Sequence, residues 1–560
     1  MTATTPENRA RFNSIVLACF FVCALAIYWP SLPGPFFSDD VMYIVQNEYI
    51  HGLTPDHLKA IFDPYGAPGK MTLNYAPVHL LLHGLEFEAF VAWMPGYRIV
   101  NILLHSLASA LLVVLLIRSR LPAWVALLGG AFFLVHPANV EAVAWVSQLK
   151  STAGLSFALL ALVLHRRHPA WSVPFFALAI LTKALSAFAL PVALLFEWTC
   201  RVGPQEAGAD ESRMLRRVAL VLWGLVFVAF AVIEIPVFRY TNANVAPIGE
   251  DPFSVARGVV AVAGRYIVMA VTSRGVGAFQ EAPEVGSWGA PSLLIAAALL
   301  ALLGWRLFVT TRSRSEEAVY WWWAVISFAP VCQILPFLHP VADRYLYFIL
   351  PGLIGGATLA AASSGPGRRL QHDSGRWARR LLMAGSALWL VFFALRSHDR
   401  AALWAEPVSL ELEAMRNHPE GLLAHLEQAQ VAARQGDVPA VVVHLQYASD
   451  RGQIDFTSYA RNPVWDPVRD DPRFRRVIAQ MARRWLELEP LYLRPSQVEL
   501  RGLAHAHLLV GELAEAEGLL ERALDVGGLR DAQVRKELVS VRVILERERR
   551  SKAQIREAGE

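Results

Sequence analysis

The stretch SIVLACFFVCALAIYWPSLPGPFFSDD, residues 14–40, joins a long apolar run to a polar loop that carries two adjacent aspartates. The run is long enough to cross the hydrocarbon core of a bilayer, which is about 30 Å thick. No small-x-small cleavage site stands near its end, and many similar runs follow, so we interpret it as an uncleaved first span. Asp39 and Asp40 therefore lie just outside a predicted membrane span.

Apolar runs of this kind recur over the first 400 residues. Of the 560 residues, 55% are hydrophobic and only 18% are charged, which is too apolar for a soluble protein of this size. After Arg400 the sequence changes to charged, helix-forming segments. We predict an all-α protein with a polytopic membrane domain at 1–398 and a soluble helical domain at 399–560. Eleven spans are predicted, at 14–32, 97–117, 123–137, 152–165, 170–182, 184–199, 218–237, 291–309, 318–338, 346–362 and 381–396.

Arginine clusters predict how these spans are oriented. The positive-inside rule places the arginine-rich segments in the cytoplasm. The apolar segment 251–279 is interrupted by Arg257 and Arg265, and counting it as a span would reverse every later loop, so we predict a helix on the outer face. The long loops 33–95 and 239–290 then share the extracytoplasmic side with the C-terminal domain. The arginine-rich segments are 9–11, 118–120, 166–167, 201–217, 312–314 and 368–380.

The first long loop contains several groups capable of acid–base chemistry. Asp39 and Asp40 can take a proton from an acceptor hydroxyl, or bind a divalent cation beside a lipid phosphate. Alternatively, both belong to a hydrated loop, or Asp40 caps a helix that begins at Val41. His83 and Glu86 in the same loop are further candidates for this site.

Two pairs of polar residues stand between later spans. His136 and Glu141 are candidate site residues, and since they are five apart across a proline they are not stacked helix neighbours. Lys150 precedes a span, and Lys183 lies between two apolar runs. A lysine at membrane depth can pair with a lipid-linked phosphate as a point charge. Alternatively, its ammonium extends to the membrane interface. Both interpretations stay open.

The segment HPVADRYLY, residues 339–347, lies at the outer end of a predicted span. The planar guanidinium of Arg344 can donate two parallel hydrogen bonds to a phosphate diester. Alternatively, Arg344 pairs with Asp343 or with a lipid headgroup. Tyr345 is a candidate ligand of the same lipid phosphate, although tyrosines here also fit the interfacial aromatic belt.

The C-terminal domain contains helical hairpins. Residues 421–452 and 495–528 each predict two helices, joined at Gly436 and at Gly511, with small alanines where the helices approach closely. This is a degenerate tetratricopeptide pattern. Stacked hairpins form a concave groove for a peptide or protein segment, so a docking surface is favoured over an active site. The alternative is a structural cap that only stabilises the outer face.

Composition and motifs exclude several classes of function. The net charge of +4 is small, and the arginines lie between spans, which indicates membrane topology rather than nucleic-acid binding. The four cysteines form neither a disulfide framework nor a zinc motif. No P-loop, GxGxxG or GxSxG motif indicates a nucleotide cofactor or an acyl-enzyme.

Seven stretches in order resemble the transmembrane, tetratricopeptide-repeat-containing O-mannosyltransferase-like proteins and their bacterial relatives, in the C superfamily of glycosyltransferases (GT-C). They cover most of the chain to about residue 420. The chain departs from the family pattern at Ala76, Ser151 and Ala184. The seven stretches are FFSDDVMYIVQNEYIHGLT, NYAPVHLLLHGLEFEAF, YRIVNILLHSLASALL, FLVHPANVEAVAWVSQLKS, LAILTKALSAFALPVALLFEW, ADRYLYFILPGL and LWAEPVSLELEAMRNHP.

The resemblance implies an enzyme of the bacterial inner membrane that moves a sugar from a polyprenyl-phosphate donor to an extracytoplasmic acceptor, a protein or a glycan. It implies that Asp39 or Asp40 is the catalytic carboxylate. From their charge and position we expect Lys150, Lys183, Arg344 and Tyr345 to bind the donor phosphate. A divalent cation held by the aspartates is possible in such a site, and no nucleic acid is expected as a partner. Two alternatives are a non-catalytic scaffold that recruits envelope proteins through its repeats, and a transporter of lipid-linked sugars.

Overall fold

A computed structural model describes most of the chain. The described residues are 6–72, 74–199, 209–241, 245, 248–249, 251–283, 289–337, 339–364, 376–487, 489, 495–528 and 530–557. Within these ranges the regular elements are helices, with no strand. Two of the arginine-rich segments, 201–217 and 368–380, lie partly outside the described residues, as does part of the loop 239–290.

The chain divides into two compact units, of which the first, the membrane unit, comprises residues 1–237 and 247–417. It extends past the predicted boundary at 398 because Arg400 pairs with Glu413 at 2.7 Å and Leu410 is buried in the same hydrophobic core. Its helices are α1 Pro6–Tyr28, α2 Pro55–Phe62, α3 Ala67–Met71, α4 Pro77–Phe90, α5 Met94–Arg118, α6 Ala123–Val135, α7 Val140–Ala144, α8 Leu149–His165, α9 Pro169–Thr182, α10 Ala189–Thr199, α11 Ala209–Thr241, α12 Pro252–Thr272, α13 Pro291–Arg312, α14 Glu316–Phe328, α15 Asp343–Ser363, α16 Arg376–Leu403 and α17 Pro407–Asn417.

Length and apolar composition allow eight of the described helices to cross a membrane, namely α1, α5, α8, α11, α12, α13, α15 and α16. A ninth span is possible if α6 and the bent segment Pro137–Ala144 are counted together, at an angle of 50°. The bend falls at Pro137, whose ring cannot continue the helix of α6. The apolar helices α9 and α10 are shorter. These features confirm an all-α polytopic membrane protein, whereas the exact number of eleven spans stays a prediction.

Helix α12 corresponds to the segment predicted to lie on the outer face. It is long enough to cross a bilayer. However, its second half contacts two neighbouring helix ends. The hydroxyl of Tyr266 donates to the carbonyl of Ala342, just before α15 begins, and the carbonyl of Ala270 contacts His136 Nε2 at 2.9 Å, just after α6 ends. We call the side of the unit where α6 ends and α15 begins the site face. The second half of α12 therefore lies at the site face, which agrees with a surface helix, and its course stays a prediction.

The second unit contains residues 238–246 and 418–560. Hairpins turn at Gly436 and Gly511, whose φ values of +71° and +87° lie in the left-handed region that glycine tolerates. Alanines such as Ala433 and Ala504 are fully buried between the paired helices. The helices are α18 Leu422–Gln435, α19 Val438–Asp450, α20 Phe456–Arg461, α21 Pro472–Leu486, α22 Gln497–Val510, α23 Leu513–Val526 and α24 Asp531–Glu557. The tetratricopeptide identity of these hairpins stays a prediction.

Candidate active site

The two adjacent aspartates occupy different environments. Asp40 is buried, with 1% of its surface exposed. Its Oδ1 accepts a hydrogen bond from the backbone N–H of Ser147 at 2.7 Å, and its Oδ2 accepts one from the N–H of Phe37 at 3.1 Å. Burial raises the pKa of the Asp40 carboxyl to about 7, although these two donors and the charge of Arg98 act to lower it. Asp40 thus ties the first loop to the segment after α7, and its side chain does not cap the helical turn Val41–Val45.

Asp39 is partly exposed, and its charge acts on Tyr43, Lys150 and Arg344. The Tyr43 hydroxyl donates to the carbonyl of Thr72 at 3.2 Å and accepts from Lys150 Nζ at 3.3 Å. Burial raises the pKa of Tyr43 well above its usual value, and the charge of Asp39 adds to this, so the hydroxyl stays protonated. Asp39 therefore combines a partly exposed carboxylate with cationic neighbours from two distant helices.

The two lysines lie at the site-face ends of α8 and α9. Lys183 Nζ donates to Ser151 Oγ at 2.7 Å and to Gln148 Oε1 at 3.5 Å, and lies 5.4 Å from the centre of the Phe348 ring. Lys150 Nζ lies 4.8 Å from the centre of the Tyr43 ring. Within the described part of the chain, neither ammonium takes part in an ion pair. Two ammonium groups with neutral hydrogen-bond partners make this part of the site face favourable for an anion.

Arg344, at the start of α15, is held by Glu141. One carboxylate oxygen of Glu141 accepts from the Arg344 guanidinium, and the other accepts from the Arg344 backbone N–H at 2.7 Å. The guanidinium carbon lies 5.6 Å from the ring centre of Trp145 and 5.3 Å from that of Tyr345. Glu141, Arg344 and Tyr345 are all buried. Glu141 thus orients the arginine, and Tyr345 packs against it.

Three side chains of α4 form a buried polar row beside Tyr43. The His79 ring lies 5.6 Å from that of Tyr43 and 4.5 Å from that of His83, and His83 Nδ1 contacts Glu86 Oε2 at 2.7 Å. Burial lowers the pKa of His79, lowers that of His83 to about 3, and raises that of Glu86. The predicted candidates His83 and Glu86 therefore form a buried hydrogen-bonded pair on α4, about one and two helical turns beyond His79, which contacts Tyr43.

His136 has structural contacts with two backbone segments. Its Nδ1 accepts from the backbone N–H of Ala138 at 3.2 Å, and its Nε2 contacts the carbonyl of Ala270, which joins the bend after α6 to α12. For a divalent cation, no group of three or more His, Cys, Asp and Glu side chains with suitable geometry occurs among the described residues. Each oxygen of Asp40 accepts one backbone N–H group, and the role of the two aspartates as cation ligands stays a prediction.

Two further residues position the site and were missed by sequence reasoning. Arg98 is buried near the start of α5 and donates to the carbonyl of Pro35 at 3.1 Å and to that of Ala144 at 3.1 Å, which fixes the first loop. Asp343 accepts from the Gly277 N–H at 2.9 Å and from Gln280 Nε2 at 2.8 Å, which fixes the loop after α12. One feature of the sequence could have identified both residues. Each is an ionisable residue next to an apolar run, and ionisable residues are rare at such positions.

The fold and these side chains together define an integral membrane protein in which a partly exposed carboxylate acts on two cations, Lys150 and Arg344, at the site-face ends of its helices. Part of the chain is similar to animal protein O-mannosyl-transferases. It is 28% identical over 274 residues to Tmtc2 of Drosophila melanogaster, 33% identical over 149 residues to Tmtc1 of the same species, and 27% identical over 208 residues to F38B6.6 of Caenorhabditis elegans. These matches confirm the resemblance seen in the sequence, whereas a bacterial origin stays a prediction.

The similarity covers only part of this chain and only part of each relative. The three matches cover 44%, 26% and 35% of this chain, and 28%, 17% and 30% of the respective relatives. The chain therefore matches less than a third of the length of these curated relatives. No family model matches the sequence, and no solved structure matches it.

Proposed function

We propose that the protein is an O-mannosyltransferase that takes mannose from a polyprenyl-phosphate donor. The observation that carries this proposal is the polar group at the site face, in which the charge of Asp39 acts on Lys150 and Arg344, and the charges of those two cations act on Lys183. Three cations suit a phosphate whose charge increases as the sugar leaves. The names of the animal relatives, protein O-mannosyl-transferases, support the sugar and a protein acceptor.

In this mechanism the acceptor hydroxyl attacks C1 of the mannose and loses its proton to the Asp39 carboxylate. The bond between C1 and the phosphate oxygen breaks, and its electron pair stays on the phosphate. Lys150 and Lys183 stabilise that charge, and Arg344 adds N–H donors in a fixed plane. Asp40 positions the loop that carries Asp39 rather than acting as the base, since backbone donors occupy both of its oxygens.

We propose that the site face is extracytoplasmic, in a bacterial inner membrane. Two arguments support this orientation. The arginine-rich segments 118–120 and 312–314 border the ends of α5 and α13, away from the site face, and such segments are retained in the cytoplasm. A polyprenyl-phosphate donor also needs no cytoplasmic nucleotide sugar at the site.

The test is transfer of radiolabelled mannose from polyprenyl-phosphate mannose to a serine- and threonine-containing protein by the purified enzyme. We expect mannosylated protein and release of polyprenyl phosphate with the wild type, and at least about 100-fold less of both with Asp39→Asn. Incorporation from a nucleotide sugar in the absence of the lipid donor would contradict the proposal. Binding of a lipid donor without turnover would favour the scaffold or transporter alternatives.

The repeats are proposed to bind the protein acceptor, because the candidate phosphate ligands and the carboxylate all belong to the membrane unit. Removing residues beyond about 420 is expected to raise the KM for a protein acceptor by about tenfold, which corresponds to about 1.4 kcal/mol of binding. Transfer to a small acceptor should persist, since the chemical step is unchanged. The measurement compares both acceptors with the truncated and full-length proteins. Equal loss of both activities would place the second unit in the active site or in the folding of the first.

A further inference from the structure

A long apolar groove runs along the membrane unit on a side of α15 different from that of the candidate active site. Its volume is about 830 Å³, within the range of about 300–1,000 Å³ of ligand-binding pockets. It is lined by side chains of α6, α12, α13, α14, α15 and α16, such as Phe132, Val271, Leu303, Ile354 and Leu390. The groove reaches from Ala270, near the site face, to Pro122 and Ala362 at the opposite end of the helices.

Helix α16 forms one wall of this groove. The second half of α16 is anchored, because Phe393 is fully buried and Ser397 Oγ donates to the carbonyl of Val135 at 2.7 Å. In the first half, Leu381 lines the groove and is 71% exposed. Small residues on the facing helices, including Gly129, Ala357 and Ala361, widen the space further.

The chemistry of the groove restricts its occupant. The lining is almost entirely hydrocarbon, and the hydroxyl of Thr358 already donates within its own helix to the carbonyl of Ile354 at 2.8 Å. A sugar or peptide backbone would lose hydrogen bonds to water and gain none here. An acyl chain loses none, and it fills a space between helices that packing would otherwise leave open.

Basic residues stand at one end of the groove. Arg120 precedes the lining residue Pro122 by two positions, Arg380 directly precedes the lining residue Leu381, and both arginines are exposed. Trp124 lines the same end, and tryptophan is enriched at the headgroup level of membranes. Basic clefts between membrane helices bind anionic lipid headgroups. The end of the groove therefore has the charge and the aromatic character of a headgroup site.

We propose that this groove binds one anionic glycerophospholipid, with an acyl chain between α6, α15 and α16 and its phosphate near Arg120 and Arg380. This lipid is distinct from the sugar donor. On α15 the groove is lined by Leu350, Ile354 and Ala357. Arg344 and Phe348, which face the candidate active site, are separated from each other by four positions and lie on another side of the helix.

The test is native mass spectrometry of the full-length protein with phosphatidylglycerol and with phosphatidylcholine of the same chains. We expect one retained lipid and about tenfold tighter binding of phosphatidylglycerol, a ratio equivalent to about 1.4 kcal/mol. The double variant Ala357→Phe with Ala361→Phe fills the groove and should lose the retained lipid of either kind. The matched control is Ala298→Phe, at an exposed position of α13 outside the groove, which should retain it.

A second double variant, Arg120→Gln with Arg380→Gln, keeps the groove and changes exposed side chains only. It should bind phosphatidylcholine as the wild type does and lose most of the preference for phosphatidylglycerol. Equal lipid retention by the filled variant and the Ala298→Phe control would overturn the proposal. The proposal would also be overturned if the wild type bound both lipids equally, or if a dimer formed through the groove and excluded lipid.

Discussion

Replacing Asp39 by asparagine is expected to reduce turnover by about 10²–10⁴-fold, the usual contribution of a general base. The amide keeps the shape of the side chain but cannot take the acceptor proton. Because Asp39 is partly exposed, the free energy of unfolding should stay within about 0.5 kcal/mol of the wild type. The measurements are single-turnover transfer of mannose and thermal unfolding of the purified protein in detergent.

Asp40→Asn should have a different effect. Its amide can accept only one of the two backbone N–H groups that the carboxylate now accepts, so the fold should lose about 1–3 kcal/mol. Turnover at a temperature where the variant is folded should fall much less than for Asp39→Asn. Asp56→Asn, on an exposed residue of α2 in the same loop, is the matched control and should change neither quantity. Full activity of Asp39→Asn together with an inactive, stable Asp40→Asn would reverse the assignment of the two aspartates.

Replacing Arg344 by methionine is expected to destabilise the protein by about 3–5 kcal/mol, because it leaves the Glu141 carboxylate buried and unpaired. The double variant with Glu141→Gln removes both charges and should recover most of that stability. Transfer should nevertheless remain at least about 10²-fold below the wild type, since removing one donor from a charge-stabilising site has this effect. Denaturant unfolding and initial rates at varied donor concentration measure the two outcomes.

The control for the Arg344 and Glu141 variants is a second ion pair, between α13 and α14. There Arg306 donates two hydrogen bonds of 2.7 Å to Glu317. The double variant Arg306→Met with Glu317→Gln should leave the KM for the donor and the turnover number unchanged. If the Arg344 and Glu141 double variant regains both stability and wild-type transfer, Arg344 does not bind the phosphate. In that case the lysines alone supply the positive charge.

The individual helices of the membrane unit could be predicted from the sequence alone. Runs such as 97–117 and 346–362 fall within α5 and α15, because a chain in a bilayer must satisfy its backbone hydrogen bonds within each helix. Hairpin turns at Gly436 and Gly511 were also predicted, since glycine there adopts a backbone conformation that other residues rarely tolerate. These features depend on residues close together in the chain.

The candidate site could be predicted only as a set of polar residues next to apolar runs. That basis predicts Lys150, Lys183 and Arg344 as phosphate ligands and His136 as a further candidate, but it cannot show that His136 contacts α12 or that Asp40 accepts the N–H of Ser147. The interpretation of Arg344 as a partner of Asp343 also differs from the structure, where Arg344 pairs with Glu141 and Asp343 binds the loop after α12.

Tertiary structure decided which polar groups meet. Glu141 and Arg344 are 203 residues apart in the chain, and Asp40 and Ser147 are 107 apart. The sequence by itself determined the membrane helices, the helical hairpins and the short list of ionisable residues near helix ends, because hydropathy and turn preferences are local properties. The difference between the partly exposed Asp39 and the buried Asp40 arises only when α5, α7 and α8 pack around the first loop, since burial and hydrogen bonding depend on neighbours that no local pattern specifies.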